Sequence, residues 1–284
     1  MRTIFLDNWM LDRATRDPAT QALLLGSSRF EVQPVLTLLS LFEIAQYDDH
    51  PWRESRIRLI ETISPIYLKD SGHLKKEIAY ESYWSSIGLP DRRQGRFWGS
   101  AAQALAGSGV SLKNPWASCG EIIEELRARP DKLHSLRSGC QEFVADENRY
   151  LRSVRPIDYI EYSRAFLRRY PPKATPAGLV IGRLDQDFSK FVGEFDWLSI
   201  PIFRLEAETW AIKSTWKRKK AQGSDLFDEQ QVLPSLLLCD AVVADKRMKD
   251  LAKQLRSRVP ELGMGQVFCA GDWAEMESWI HVGA

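Results

Sequence analysis

Two aspartates each follow a short apolar run, and this placement is suited to chemistry at the edge of a sheet. Asp7 follows residues 3–6, and Asp245 follows residues 241–244. Both runs are predicted to be buried strands. Open α/β sheets bind ligands just beyond the carboxyl ends of their strands, so both acids are placed to serve an active site. Several acids gathered there would repel one another unless a cation neutralised them, and hard divalent ions prefer oxygen ligands.

Three further acids stand where they could join the same edge. Glu43 lies at the border of an apolar helical face, while Asp225 and Asp228 stand at the front of the apolar segment that leads to Asp245. Two of the acids also have a purely structural interpretation. Asp7 could serve as a helix N-cap or turn residue, and Glu43 could be a boundary residue that reaches solvent.

The elements that must position these acids are predicted from hydrophobic periodicity. Residues 33–46 are predicted to form one helix, with Pro34 in its first turn and Glu43 near its end. Short strands are predicted at 65–68 and 266–270. After Asp228 the chain alternates helix, strand, helix, strand and helix, which is typical of a parallel sheet with right-handed crossovers.

The middle of the chain has a different character. From residue 82 to about 205 the strand pattern fades, and amphipathic helical patterns separated by Pro and Gly predominate, with helices predicted at 97–106, 119–129, 131–145 and 156–169. A further helix over 202–220 ends in the densest basic segment of the chain, which contains Lys213, Lys217, Arg218, Lys219 and Lys220. A helix dipole favours positive charges near the C-terminus of the helix, so part of this pattern is structural. The segment also lies just before Asp225, where its charges are suited to holding a phosphate backbone.

The composition limits the classes of protein to which the chain can belong. The chain has 284 residues, 44% of them hydrophobic, and a net charge of +1, so nucleic-acid binding would depend on local patches. The four cysteines have no paired spacing and the four histidines form no ligand pair, which disfavours a zinc site and indicates a reducing cytoplasm. We expect no membrane span and see no signal-peptide pattern.

Four segments together resemble the PIN-like nuclease domains. Residues 4–8 resemble the family's first strand with its aspartate, and residues 38–45 its glutamate-bearing helix. Residues 225–228 resemble the start of the next conserved helix, and residues 239–246 the strand that ends in the last aspartate. The resemblance implies a Rossmann-like three-layer α/β fold with a parallel sheet. It divides the chain into a PIN-like core, 1–70 with 222–284, and a large mostly helical insertion, 71–221.

The resemblance also implies a metal-dependent nuclease. Asp7, Glu43, Asp228 and Asp245 would be catalytic and would bind Mg²⁺ or Mn²⁺, and Asp225 is a further candidate ligand. Such an ion would activate water for attack on a phosphodiester. The expected substrate is nucleic acid, RNA rather than DNA, with the basic segment at 213–220 holding its backbone. Pro234 departs from the expected pattern, because it should kink the helix after Asp228 or end it early.

The biological setting and two other functions stay open at this point. A toxin of a toxin–antitoxin pair or a defence effector would suit such a nuclease, with a protein inhibitor as partner. Oligomeric state is open, a dimer included. The long insertion suits a second function, a PIN-like scaffold with little catalysis that binds nucleic acid or a protein. A third is a doubly wound domain that binds a nucleotide, but the chain has no glycine-rich strand-to-helix turn to cradle phosphates.

Overall fold

The computed structural model describes most of the chain. The described residues are 1–89, 95–107, 114, 117–129, 156–172, 184–215 and 223–282, and residues 156–158, 184–185 and 223–227 are described by their backbone. The predicted helix at 131–145 and the basic residues Lys217, Arg218, Lys219 and Lys220 lie outside these ranges. Among the described residues, none of the helices is long and apolar enough to cross a membrane.

The centre of the fold is a mainly parallel sheet of six strands. In chain order these are β1 (Arg2–Leu6), β2 (Val32–Thr37), β3 (Ile66–Leu68), β4 (Phe97–Trp98), β5 (Ala241–Val243) and β6 (Gln266–Phe268). Their order across the sheet is β4-β3-β2-β1-β5-β6, and only β4 at one edge is antiparallel to its neighbour. The chain builds outward from β1 through β2 and β3, then returns to the other side of β1. The switch point of the sheet therefore lies between β1 and β5.

Helices cover both faces of this sheet, as expected when the strands themselves are apolar on both sides. Ile4 and Leu6 pack on one face and Phe5 on the other, and their side chains are 0% exposed. The first face is covered by α1 (Asn8–Arg16), α2 (Pro18–Gly26), α3 (Leu38–Ala45), α4 (His50–Ile63), α6 (Ala101–Gly107), α7 (Cys119–Arg127) and α13 (Trp273–His281). The second is covered by α10 (Pro201–Ser214), α11 (Gly223–Leu238) and α12 (Lys246–Arg258).

A third apolar cluster extends the molecule beyond the sheet. It joins α5 (Ser71–Ser86), α8 (Pro156–Arg169) and α9 (Leu184–Glu194) to the first half of α10. Tyr159, Phe188 and Trp197 are nearly fully buried in it. Tyr159 of α8 thus packs in an aromatic core with residues of α9 and the segment that follows it. Because α6, α7 and α10 also pack on the sheet, parts of the segment 71–221 complete the central fold.

Residues 33–46 do not form the single helix that periodicity predicts. They form β2 followed by α3, and Thr37 caps the new helix by accepting from the Ser40 N–H. Pro34 lies inside β2, opposite Ile4 of β1. Proline removes a donor and is unusual in a central strand, so the sequence pointed to a helix start instead. Glu43 therefore lies in a short helix that begins at the carboxyl end of β2.

Two other sequence predictions also differ from the structure. The helix predicted at 97–106 begins only at Ala101, because Phe97 and Trp98 pair with β3. Pro234 does not end its helix, which continues to Leu238. Leu233 and Leu236 on either side of this proline are buried, and burying such side chains stabilises by about 2 kcal/mol each, enough to offset a proline cost of about 3 kcal/mol.

Candidate active site

Asp7 and Asp245 follow adjacent strands at the switch point of the sheet. Asp7 comes directly after β1, and its backbone N–H donates to the Val243 carbonyl at the end of β5 (3.1 Å). Asp245 follows β5 after one intervening residue and caps α12, where it accepts from the Met248 N–H (2.7 Å). The two aspartates therefore stand at the same edge, where open α/β sheets bind ligands.

Asp7 is half-buried and lies among other acids. It caps α1, and its Oδ1 accepts from the Asn8 N–H (2.6 Å). Burial raises the pKa of Asp7 to about 7, and the charges of Glu43 and Asp245 add to this rise. The bond from the Asn8 N–H acts in the opposite direction but does not overcome the burial. The structural interpretation of Asp7 as an N-cap is confirmed, and it coexists with a place in an acid cluster.

Glu43 is half-buried on α3 and is held by two amide side chains. The Asn8 Nδ2 donates to its Oε2, and the Gln231 Nε2 donates to its Oε1 (3.3 Å). Burial raises the pKa of Glu43 to about 7, the charge of Asp228 raises it further, and both amide bonds lower it. Glu43 thus faces other residues of the cluster and is not the solvent-reaching boundary residue that was the alternative.

The remaining candidate acids lie on α11. Asp228 is half-buried and close enough to Glu43 for its charge to raise the glutamate pKa. Asp225 lies one turn earlier, and its side chain is outside the described part of the structure. The choice between them therefore stays open, although the charge of Asp228 does act on Glu43. Asp7, Glu43, Asp228 and Asp245 form one electrostatically connected group, which we call the acid cluster.

The acid cluster suits a cation by its chemistry, although it is not closed around one. Within the described ranges, no three Asp, Glu, His or Cys side chains are grouped closely enough to hold an ion. The donors present are oxygens, which hard divalent ions prefer. The Asn8 Oδ1 is buried and has no hydrogen-bond partner among the described residues. Such an orphaned oxygen is costly without a ligand, so Asn8 fits the same donor set.

Arg56 brings a positive charge to the acid cluster. Its side chain on α4 is 4% exposed and forms an ion pair with Asp12 (3.1 Å). The guanidinium carbon lies 3.5 Å from the ring centroid of Trp52, whose Nε1 donates to the same Asp12 carboxylate (2.8 Å). Burial dominates the pKa of Asp7 and Glu43, and the Arg56 charge opposes it at both carboxyls. Arg56 thus offsets part of the repulsion among the acids.

Sequence reasoning missed the hydrogen-bonded support behind Glu43. The Gln231 Oε1 accepts from the Thr37 hydroxyl (2.6 Å) and the Ser40 hydroxyl (3.1 Å), while its Nε2 reaches Glu43. Gln231 therefore connects α11 to the start of α3. Its spacing of three residues from Asp228 places both on one helix face, a signal that could have suggested a shared site. Arg56 gave a comparable signal, because it interrupts the apolar face of α4.

Lys213 does not lie where a phosphate contact would be expected. It is 4% exposed, and its ammonium forms an ion pair with the buried Glu229 (2.7 Å). Glu229 follows Asp228 on α11, and its Oε1 also lies 4.0 Å from the Arg247 guanidinium. A carboxylate on the neighbouring helix supplies a counter-charge that the local basic pattern does not reveal. The rest of the predicted basic surface lies outside the described residues.

Comparison with protein-family models, with curated proteins and with solved structures finds no match to this chain.

Proposed function

We propose that this chain is a metal-dependent nuclease with a PIN-like fold that hydrolyses phosphodiester bonds, acting on RNA in preference to DNA as an endoribonuclease. The observation that carries the proposal is the acid cluster. Four acids far apart in sequence influence one another at the switch point of an α/β sheet, in the order in which the resemblance assigns them. A cytoplasmic location and a toxin or defence role belong to the same proposal.

In this proposal Asp7, Glu43, Asp228 and Asp245 hold Mg²⁺ or Mn²⁺. A bound ion would supply charge stabilisation at the scissile phosphate and a water of lowered pKa. Asp225 is retained as an additional ligand. Asn8 and Gln231 orient the Glu43 carboxylate, and the Asn8 Oδ1 offers one more oxygen. Arg56 reduces repulsion among the acids, so that fewer of them bind protons in the absence of the ion.

Cleavage of single-stranded RNA with Mn²⁺ tests the proposal. Asp245→Asn should reduce the rate about a hundredfold or more, because a ligand at the reacting centre is lost. Asp240→Asn is the matched control, since Asp240 precedes the same strand at its opposite end and accepts from Thr3 there. Its rate should equal that of the wild type. Equal cleavage by wild type and Asp245→Asn would refute the proposed site.

A second function is favoured by one specific observation. The described acids are not grouped tightly enough to enclose an ion, as expected of a PIN-like scaffold that binds nucleic acid or a protein partner with little catalysis. Titration calorimetry with Mn²⁺ separates the two functions. The nuclease requires binding that is lost in Asp245→Asn but kept in Asp240→Asn. A scaffold predicts no Mn²⁺ binding that depends on Asp245.

A further inference from the structure

An exposed aromatic side chain lies directly after the helix that carries Glu43. Tyr47 is two residues past the end of α3 and is 49% exposed. Its ring centroid lies 4.1 Å from that of Trp52 in the first turn of α4, with the two planes tilted by 51°. Tyr47 is therefore backed by a second aromatic ring and still presents surface to solvent. A half-exposed ring of this kind can receive a flat ligand without displacing the core.

Trp52 connects this exposed ring to the acid cluster. The Arg56 guanidinium packs on Trp52, and Asp12 holds both side chains through the contacts described above. The positive charge of Arg56 is in turn felt at Asp7 and Glu43. Tyr47, Trp52 and Arg56 thus form a continuous series of contacts from the surface to a buried guanidinium whose charge acts on Asp7 and Glu43.

The backbone beneath Tyr47 is fixed before any ligand arrives. The Tyr47 carbonyl accepts from the guanidinium groups of Arg53 (2.9 Å) and Arg127 (2.8 Å). Two carboxylates balance these arginines. Glu124 lies 3.2 Å from Arg53 and 4.0 Å from Arg127, and Asp48 lies 3.6 Å from Arg127. These ion pairs therefore carry little net charge. Neither an acidic nor a basic peptide is favoured here, whereas a ligand that needs an aromatic face is.

We propose that Tyr47, backed by Trp52, is a stacking subsite for an unpaired base of single-stranded nucleic acid entering the acid cluster. The inference rests on the proposed nuclease function and specifies its substrate class. Every nucleobase has a π-face, so a tyrosine face binds bases with little sequence preference. Bases inside a duplex are already stacked and cannot use this surface unless they are extruded. The subsite therefore selects single strands.

Fluorescence anisotropy with a labelled single-stranded RNA of about 12 nucleotides, a length within the usual site sizes of such proteins, tests the subsite. Ca²⁺ replaces Mn²⁺ so that the strand is bound without being cleaved. Tyr47→Leu should weaken binding about tenfold, the loss expected for one base–aromatic stack. Tyr47→Phe keeps the ring and should bind like the wild type. Because stacking is not ionic, the tenfold ratio should persist from low to moderate salt.

Tyr170→Leu is the matched control. Tyr170 is also 49% exposed and packs on Phe166 of the third apolar cluster, outside the acid cluster, so its loss should leave the Kd unchanged. An unchanged Kd in Tyr47→Leu, or an equal loss in Tyr47→Phe, would overturn the subsite even if the wild type cleaves RNA. Binding that depends on Tyr47 in a protein with no Mn²⁺-dependent cleavage would instead overturn the nuclease and retain the subsite. A wild type that does not bind RNA would overturn both.

Discussion

Asp7 has two roles that make opposite demands on its charge. As the N-cap of α1 it is favoured in its ionised form, because the Asn8 N–H donates to it at the positive end of the helix dipole. Within the acid cluster, burial and the neighbouring Glu43 and Asp245 favour the protonated form. The rise of its pKa to about 7 means that the second influence is stronger. Without a cation, the ionised cluster therefore costs stability, as functional sites often do.

Asp7→Asn should stabilise the protein in EDTA. The folded pKa of about 7 lies above the unfolded value of 3.8, so the wild type loses stability as the pH rises from 3.8 to about 7 and carries the full cost above that pH. We expect the variant to gain roughly 2–4 kcal/mol in free energy of unfolding at pH 8. The gain should shrink as the pH falls and vanish below pH 3.8, because the wild-type carboxyl is then largely protonated in both states. Urea denaturation across this pH range measures it.

Asp240→Asn is the control for this measurement. Asp240 is exposed at the opposite end of β5, outside the acid cluster, and its replacement keeps an acceptor for the Thr3 N–H, so we expect a change within about 0.5 kcal/mol. A loss of stability in Asp7→Asn at pH 8 would show that the acid cluster does not carry the predicted repulsion.

At the scale of elements, the junction between β2 and α3 sets the position of Glu43. Thr37 ends the strand and caps the helix in a reciprocal arrangement with Ser40, and Gln231 of α11 bonds to both hydroxyls. All three side chains are buried. The cap therefore fixes where α3 begins, and Gln231 fixes how α3 faces α11. Together they hold Glu43 on the side where Asp228 approaches.

Thr37→Ala should destabilise the protein by about 1–2 kcal/mol, because it removes a helix cap and leaves a buried amide oxygen with one hydroxyl donor fewer. It should also reduce cleavage, since Glu43 loses its fixed position. Thr37→Ser keeps the hydroxyl and should retain both stability and activity. Thermal denaturation and the cleavage assay measure the two effects. Equal behaviour of the alanine and serine variants would contradict the role assigned to the cap.

The same junction shows what could be predicted from the sequence and what could not. Asp7 and Asp245 were predictable because each ends an apolar run, and a strand's position in a parallel sheet then fixes where its carboxyl end lies. Strand β2 was not predictable, because Pro34 lies inside it and proline is usually absent from central strands. Gln231 and the buried Lys213 depend on packing between helices that no local pattern encodes. The metal-binding role of Asp225 and the nucleic-acid contacts of the basic residues 217–220 stay predictions.

At the scale of the whole molecule, a buried ion pair joins the helices of the third apolar cluster to α10, which also packs on the sheet. Lys75 of α5 lies 2.7 Å from Glu206 of α10, and each side chain is 6% exposed. The Glu206 carboxylate also accepts from the hydroxyls of Ser71 and Tyr159, the latter on α8. Burial raises the pKa of Glu206, and Lys75 opposes that rise. Three helices are thus joined at one carboxylate.

Lys75→Met should destabilise the protein by about 3–5 kcal/mol, because it leaves the buried Glu206 without its counter-charge. Adding Glu206→Gln should recover much of this loss, since the amide oxygen still accepts from the two hydroxyls. Lys249→Met is the control: Lys249 pairs with Asp272 at 2.6 Å but is 36% exposed, so less than about 1 kcal/mol should be lost. Chemical denaturation of all variants measures these differences. A loss of stability in Lys75→Met no larger than that in Lys249→Met would contradict the role assigned to this ion pair.

Anomalous diffraction from crystals soaked in Mn²⁺ tests whether the acid cluster holds a divalent cation. We expect an anomalous peak at the carboxyl edge between β1 and β5, from an ion bound by oxygens of Asp7 and Asp245 together with Glu43 or Asp228. The peak should disappear in crystals of Asp245→Asn and remain in those of Asp240→Asn. Crystals of the wild type with Mn²⁺ only at other surface acids, or with no peak at this edge, would contradict the proposed metal site.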